Sequence, residues 1–409
     1  MKRIIIHSDL NNFFASVEGL KKPWLRDVPM AVAGDVQQRH GIILAKNIHA
    51  AKFGVKTAEP IWSAMQKCPN LITVTPSHDD YMVISQRVRK IYESYCEQVE
   101  SFGIDECWLD ISKIARDFEE GAKIADEIRE RILDEIHITA SCGVSFNKTF
   151  AKLGSDLKKP NATSVITDTD FKETVWKLPA ESLLFVGKST KAELARLNIS
   201  TIGQLALTDP KTLQFVLGKN GLELWEAANG IDNSPVTASD FKSTIKSVGN
   251  STTTPYDLTR EEDVRIVLLS LCDRVSSRLR RLGLVCDTVQ LHVKDSNLNS
   301  FERQQKLPYF TRTSDMLFEA AFSLYSNSHI VGAPTRSIGV RALNVSSDDQ
   351  RQLAVSDSIP NLKKREMLGE TADNIRQQFG RGSLIRGIML SNNELAKTDI
   401  EEEGSSFTK

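Results

Sequence analysis

FGIDECWLDIS, residues 102–112, sets two adjacent carboxylates, Asp105 and Glu106, between apolar runs. Val99–Ile104 and Cys107–Ile111 read as the two strands of a hairpin with the acidic pair at its tip. Before this hairpin, Tyr81, Ile84, Val88, Ile91 and Tyr95 recur at steps of three and four, the spacing of an amphipathic helix. After it, Ile124, Ile128, Ile132 and Ile136 stripe a second helix, and Ile138–Val144 reads as another strand. At the start of the chain Ile4–Ile6 is a short apolar run, best read as a buried strand.

The order is β-α-β-β-α-β, with about 19–77 inserted after the first strand. That order predicts an α+β protein with a ferredoxin-like sheet and helices on one face. A similar block starts near 246. Val264, Leu268, Leu271, Val275 and Leu282 stripe a helix. Val289, Leu291 and Val293 alternate as a half-buried strand, leaving Thr288, Gln290, His292 and Lys294 on the other face. Strands are expected at about 300–307 and 336–345, with a helix at about 313–329. Between the blocks, about 166–233 reads as helical, and SPVTASDFKST (234–244) as a linker.

The 409 residues carry a formal net charge of −1, with 40% hydrophobic and 26% charged side chains. This is an ordinary globular composition, with no global basic field to attract nucleic acid. Residues 241–345 carry 14 basic and 10 acidic side chains, so a positive excess sits late in the chain. The six cysteines form no C-x-x-C pair and read as reduced thiols of a cytoplasmic protein. The apolar run in MKRIII is too short for a signal peptide, and no run approaches a membrane span.

In such a sheet the end of the first strand neighbours the central hairpin. Asp9, in HSDLNNFFASVE (7–18), would then meet Asp105 and Glu106. Three packed carboxylates repel and call for cations. Two bridging Mg²⁺ ions would relieve the repulsion and could promote phosphoryl transfer. The alternative is a helix N-cap at Asp9 and a plain turn at Asp105 and Glu106.

HSDLNNFFASVE and GIDECWLD (103–110) resemble the first two motifs of the Y-family DNA polymerases. AKNIHAAKFGVKTAEPI (45–61) is similar to their finger segment and GVSFNKTFAKLGSDLKKPNATSVI (143–166) to the late palm. FVGKSTKAELARLNISTIGQL (185–205) resembles the thumb. LWEAANGIDNSPV (224–236) and IKSVGNSTTT (245–254) resemble the thumb end and the start of the little finger. The matches run in order over about 1–345, and the tail to about 390 is similar to Gram-positive relatives of the polymerase IV class.

The resemblance implies a right-hand polymerase. Its palm would be 1–18 and 78–165, its small fingers 19–77 and its helical, helix-hairpin-helix thumb 166–233. A linker at 234–245, a little finger at 246–345 and an extension at 346–409 would follow. It implies template-directed, low-fidelity DNA synthesis past lesions by a monomer, with two Mg²⁺ ions, deoxynucleoside triphosphates and primer–template DNA as partners. Asp9, Asp105 and Glu106 match the catalytic carboxylates, and the Leu10 carbonyl a further metal ligand. Phe14 matches the steric gate against ribose. Lys159, with the main-chain N–H groups of Asn12 and Phe13, matches the triphosphate contacts. Gly187 and Lys188 fall at the DNA-binding thumb turn. Lys246, Arg336 and Arg341, with Arg274, Arg278, Arg280, Arg281 and Lys294, are candidate phosphate contacts in the little finger.

The chain also departs from the family. Ala45, Ile48 and Ala51 stand where Thr, Tyr and Arg usually flank the phosphates, with Lys46 and His49 beside them. Phe185 stands where a turn glycine is usual. A clamp-docking segment of the form Gln-Leu-x-Leu-Phe reads Gln352-Leu353-Ala354-Val355-Ser356, so only a weak sliding-clamp contact is expected. Two other readings are a catalytically silent adaptor, which intact carboxylates disfavour, and a palm-fold nucleotidyl cyclase, which leaves the late segments unexplained.

Overall fold

The structure is a computed structural model that describes residues 3–35, 39, 41–241, 244–328, 333–350, 359–392 and 394–395. The Gln352–Ser356 segment lies outside the described residues. Two compact units are present: Met1–Val32 with Ile43–Lys242, and Ala33–Ile42 with Ser243–Lys409. Among the described residues no helix is long and apolar enough to cross a membrane. All six cysteines are free thiols, five of them buried.

The first unit opens with β1 (Ile5–Leu10), α1 (Phe13–Lys21), β2 (Met30–Ala33), β3 (Ile43–Lys46), α2 (Ile48–Lys52), α3 (Ile61–Lys67) and β4 (Ile72–Val74). It continues with α4 (His78–Glu93), β5 (Val99–Ser101), β6 (Glu106–Asp110), α5 (Phe118–Ile136), β7 (Ala140–Ser145), α6 (Lys148–Leu157) and β8 (Thr163–Ile166). Its main sheet runs β5-β6-β1-β7-β8, and a small sheet runs β3-β2-β4. The first four strands of the main sheet have the expected ferredoxin-like order. β8, parallel to β7, is an addition that the sequence reading missed.

Alternation along β1 divides the sheet's two faces. Ile4 and Ile6 join Leu109, Cys142 and Val144 beneath α4 and α5, where Ile128, Ile132 and Ile136 are buried. Each such burial stabilises by about 1.5–3 kcal/mol. Ile5 turns the other way, into a cluster with Trp108, Ala151 of α6 and Val236. So helices cover both faces, not one. The first hairpin strand is shorter than expected because the chain turns at Phe102, whose N–H donates to the Glu106 carbonyl at 2.8 Å, while the second keeps its length and starts one residue earlier. Gly103 supplies the positive φ of +85° that this turn needs.

The helix α6 lies unusually close to β7. A Cβ added at Gly143 would fall 1.9 Å from the Ala151 carbonyl oxygen, so only glycine permits the approach. Asn147 caps α6, its side chain accepting from the Phe150 N–H at 2.7 Å. Part of the stretch read as a linker lies on this face: Val236 is buried, and the Thr237 N–H donates to Glu100 at 2.9 Å.

A helical block follows: α7 (Phe171–Thr174), α8 (Lys188–Arg196), α9 (Ile202–Leu207), α10 (Pro210–Leu217) and α11 (Lys219–Ala228). Leu194, Ile202, Leu205, Leu213 and Leu224 form its core. At the turn into α8, Phe185 adopts φ +70° with its ring 67% exposed. The turn keeps the left-handed geometry that a glycine would adopt freely, now with a bulky side chain in it.

The second unit contains β9 (Ser247–Leu258), α12 (Glu261–Arg281), β10 (Leu284–Asp295), β11 (Ser300–Thr311), α13 (Ser314–Asn327), β12 (Thr335–Ser347) and α14 (Ile359–Phe379). Its sheet runs β11-β10-β12-β9. The element order repeats that of the first unit, but the strand order does not: the first strand is central in one sheet and at an edge in the other. Val289, Leu291 and Val293 face the core as their alternation required. α14 docks through polar contacts. Arg280 bonds Asp373 at 2.6 Å, Arg312 bonds Glu370 at 2.9 Å, and Arg376 and Arg386 converge on Asp273.

Candidate active site

β1 and β6 pair in antiparallel register with Asp9 directly opposite Glu106. Opposed residues share a face, so two carboxylates confront one another beside α6. Asp105 precedes Glu106, and its carbonyl accepts from the Leu10 N–H at 3.1 Å. The turn and the strand register thus bring all three predicted carboxylates to one corner of the sheet.

Burial pushes the Asp9 carboxyl up to about 7, against the pull of Lys159 and with Glu106 and Asp105 adding repulsion. Burial and the neighbouring Glu106 charge raise Asp105 to about 6. Burial also works against ionising Glu106, but favourable partners outweigh it and hold this carboxyl at about 2. The His7 ring and Lys152 are these partners, with Lys152 Nζ 2.6 Å from Glu106 Oε2. His7 is itself anchored to α6. Its Nδ1 lies 2.9 Å from Ser155 Oγ, whose own proton goes to the Lys152 carbonyl. Nε2 makes no hydrogen bond and lies 3.4 Å from Glu106 Oε2.

Lys159 Nζ lies 2.6 Å from Asp9 and 2.8 Å from Asp156. Two ammonium groups therefore stand against the carboxylate cluster. Among the described residues no three His, Cys, Asp or Glu side chains form a ready-made metal cage. The donor set nonetheless suits a hard divalent cation: oxygen ligands whose unrelieved repulsion already draws in positive charge.

The remaining predicted residues fall around this corner. Asn12 takes φ +49° at the N-cap of α1, and Phe13 is buried. Phe14 is half-buried and packs on Tyr81, whose hydroxyl donates to the buried Glu18 at 2.8 Å. Ala45 lies in the small-sheet core, while Ile48 and Ala51 are exposed on α2. Lys46 donates to Thr57 at 3.4 Å, and His49 is half-buried.

Gly187 and Lys188 are exposed at the start of α8. Lys246 and Arg341 are exposed in the second unit, and Arg336 is half-buried at a pairing irregularity of β12. Arg280 and Arg278 are committed internally, to Asp373 and to the Gly249 carbonyl. The sequence reading missed Lys152, His7, Ser155, Tyr81 and Glu18. Lys152 and Asp156 could have been found as an i, i+4 pair on the helix before Lys159.

The impB/mucB/samB family profile matches residues 8–156, and the profile of that family's C-terminal domain matches 245–355. A protein of Acetivibrio thermocellus named DNA polymerase IV is 48% identical over 97% of this chain and 99% of its own length. The chain belongs to the DNA polymerase IV family. A second member, DNA polymerase IV 2 of Bacillus subtilis, is 34% identical over 95% of each chain. Among solved structures, a Y-family DNA polymerase chimera aligns with a TM-score of 0.75 at 24% identity, covering 84% of this chain and all of its own. That likeness establishes the Y-family polymerase fold, and DNA polymerase IV relatives match nearly the full length, the extension included.

Proposed function

We propose that this chain is a template-directed DNA polymerase that adds deoxynucleotides to a primer 3′-hydroxyl and synthesises past damaged template. The observation that carries this reading is the in-register opposition of Asp9 and Glu106, with Asp105 beside them, in a DNA polymerase IV family member. Asp9, Asp105, Glu106 and the Leu10 carbonyl would hold two Mg²⁺ ions. When bound, these would activate the primer hydroxyl and neutralise charge developing on the phosphates.

The protein's own groups bind and orient. Lys159 exchanges Asp9 for the nucleotide's phosphates, joined by the N–H groups of Asn12 and Phe13 at the start of α1. Phe14 closes the space that a ribose 2′-hydroxyl would need. Lys152 and His7 flank Glu106 and fix its position. Gly187, Lys188, Lys246, Arg336 and Arg341 contact DNA phosphates and so hold the duplex without reading its sequence.

In this reading 1–18 and 78–165 form the palm, 19–77 the fingers, 166–233 the thumb and 246–345 the little finger. The protein acts as a cytoplasmic monomer, with a weak sliding-clamp contact through Gln352–Ser356. Primer extension on undamaged and lesion-bearing templates tests the function. Full-length products that depend on both template and divalent metal are expected. Binding to primer–template without any extension would leave an adaptor role in its place.

A further inference from the structure

Asn11 follows the β1 carboxylate by two residues, yet it is 6% exposed and points away from any role proposed above. Its side chain is fully engaged. Nδ2 donates to Ser141 Oγ on β7 at 2.9 Å, and Oδ1 accepts the main-chain N–H of Asn161 at 2.9 Å. Asn161 lies two residues beyond Lys159 and takes φ +52°, a conformation that Asn tolerates better than most residues. Its carbonyl and side chain are held from the opposite side by Arg129 of α5, both at 2.7 Å. The loop that carries Lys159 is thus gripped at both ends of one residue, and only the Asn11 grip comes from the strand end that carries Asp9.

A lysine is a point charge on a flexible four-carbon stem, so its reach is defined by its backbone anchor. We propose that Asn11 is a positioning residue for nucleotide binding, fixing the Lys159 loop against the Asp9 strand so that the ammonium group faces the triphosphate. This rests on the reading of Lys159 as a triphosphate contact. Asn11 touches neither substrate nor metal. It acts through the part-buried Asn161 N–H, which without this acceptor is free to turn to another partner and carry the loop with it.

Steady-state kinetics of single-nucleotide incorporation test this in the full chain. Asn11→Ala should raise the KM for the incoming nucleotide roughly 5- to 30-fold, the cost of about one or two kcal/mol at a hydrogen bond, with kcat within about 3-fold. Asn11→Asp keeps the acceptor, and Ser141 Oγ already lies 3.3 Å from Oδ1, ready to donate into a carboxylate. Its KM should stay within about 3-fold of the native value.

The deciding comparison is a double-mutant cycle with Lys159→Ala. In that background Asn11→Ala should add little to KM. Full additivity, or a loss confined to kcat, would overturn the proposal. No KM change in Lys159→Ala alone would remove the reading it depends on, and the proposal with it. If Asn11→Ala does not fold, Ser141→Ala removes the second anchor of the Asn11 amide. It should shift KM in the same direction by roughly 2- to 5-fold, and an unchanged KM there would overturn the proposal.

Discussion

The rings of Phe14 and Tyr81 lie nearly parallel, 13° apart with centroids separated by 4.2 Å. Tyr81 is fully buried and tethered through its hydroxyl to Glu18. The Phe14 ring therefore rests on a fixed wall. Phe14→Ala should raise ribonucleotide relative to deoxyribonucleotide incorporation by orders of magnitude. Tyr81→Leu removes the stacking surface while keeping an apolar residue, and should relax discrimination by roughly 2- to 10-fold, since aromatic pairs contribute about 0.5–1.5 kcal/mol. Single-nucleotide assays measure both ratios. An unchanged ratio in Phe14→Ala would return that ring to simple core packing.

The three carboxylates should behave as one unit. Asp9→Ala, Asp105→Ala and Glu106→Ala should each lower incorporation by on the order of 10³-fold or more. Primer–template affinity measured without nucleotide should change little. Near-normal turnover in any of the three would remove that residue from the site.

Asp9 should also cost stability. The Asp9 carboxyl titrates near 7 in the fold, against 3.8 ordinarily, because burial disfavours its charge. Between those values the folded protein retains a proton that the unfolded chain has released. Stability then falls as pH rises through this window, and the full penalty stands above about pH 7. Asp9→Asn escapes it. The variant should melt higher than the native protein at pH 8 in metal-free buffer, by about 2–4 °C per kcal/mol, and the gap should narrow at pH 5. Calorimetry at the two pH values decides, and a wild-type protein that melts as high at pH 8 would contradict the account.

Phe185 offers a stability gain of a different kind. A bulky residue at φ +70° carries strain of order 1 kcal/mol, and its ring here gains little from burial. Phe185→Gly should raise the melting temperature by a few degrees, although glycine restores some unfolded-state entropy. A lower melting temperature would mean that the ring has packing partners in solution.

The C-terminal helix should depend on one carboxylate. Asp273 on α12 is largely buried beneath Arg376 and Arg386, whose guanidinium groups approach to 3.5 and 2.9 Å. Removing one member of such a cluster strands buried charge and typically costs about 3–5 kcal/mol. Asp273→Ala should expose residues after 347 to limited proteolysis while Asp315→Ala, at the more exposed rim, changes little. Equal protease resistance in both variants would show that α14 is held by its apolar contacts instead.

Sequence periodicity carried the helices of the first unit because each buries one stripe, while its central strands, buried on both faces, showed as short apolar runs. Asp9, Asp105 and Glu106 were legible for the same reason, as polar breaks at the ends of apolar runs. What could not be read was tertiary. β8 is four residues long with a single exposed-buried alternation, too short for a periodic signal. The strand order of the second unit depends on which edge a crossover reaches, and element order does not encode that. Lys152 and Tyr81 looked like one more helix charge and one more core ring until packing set them against Glu106 and Phe14. Arg280 reads from sequence as a phosphate contact because α14, which takes it up, lies about 90 residues further along the chain.

The edge strands of the second unit bear on how the protein behaves when crowded. β9 and β11 are each 12 residues long, far enough to template a strand from another molecule. Each is interrupted by a proline, Pro255 or Pro308, whereas the central β10 and β12 have none. β11 also carries Glu302, Arg303 and Lys306 on its outward run. A missing N–H and a row of charges make poor ground for accretion, so the sheet is bounded at both margins by its own chemistry. The unit can be crowded without seeding fibres from its flanks.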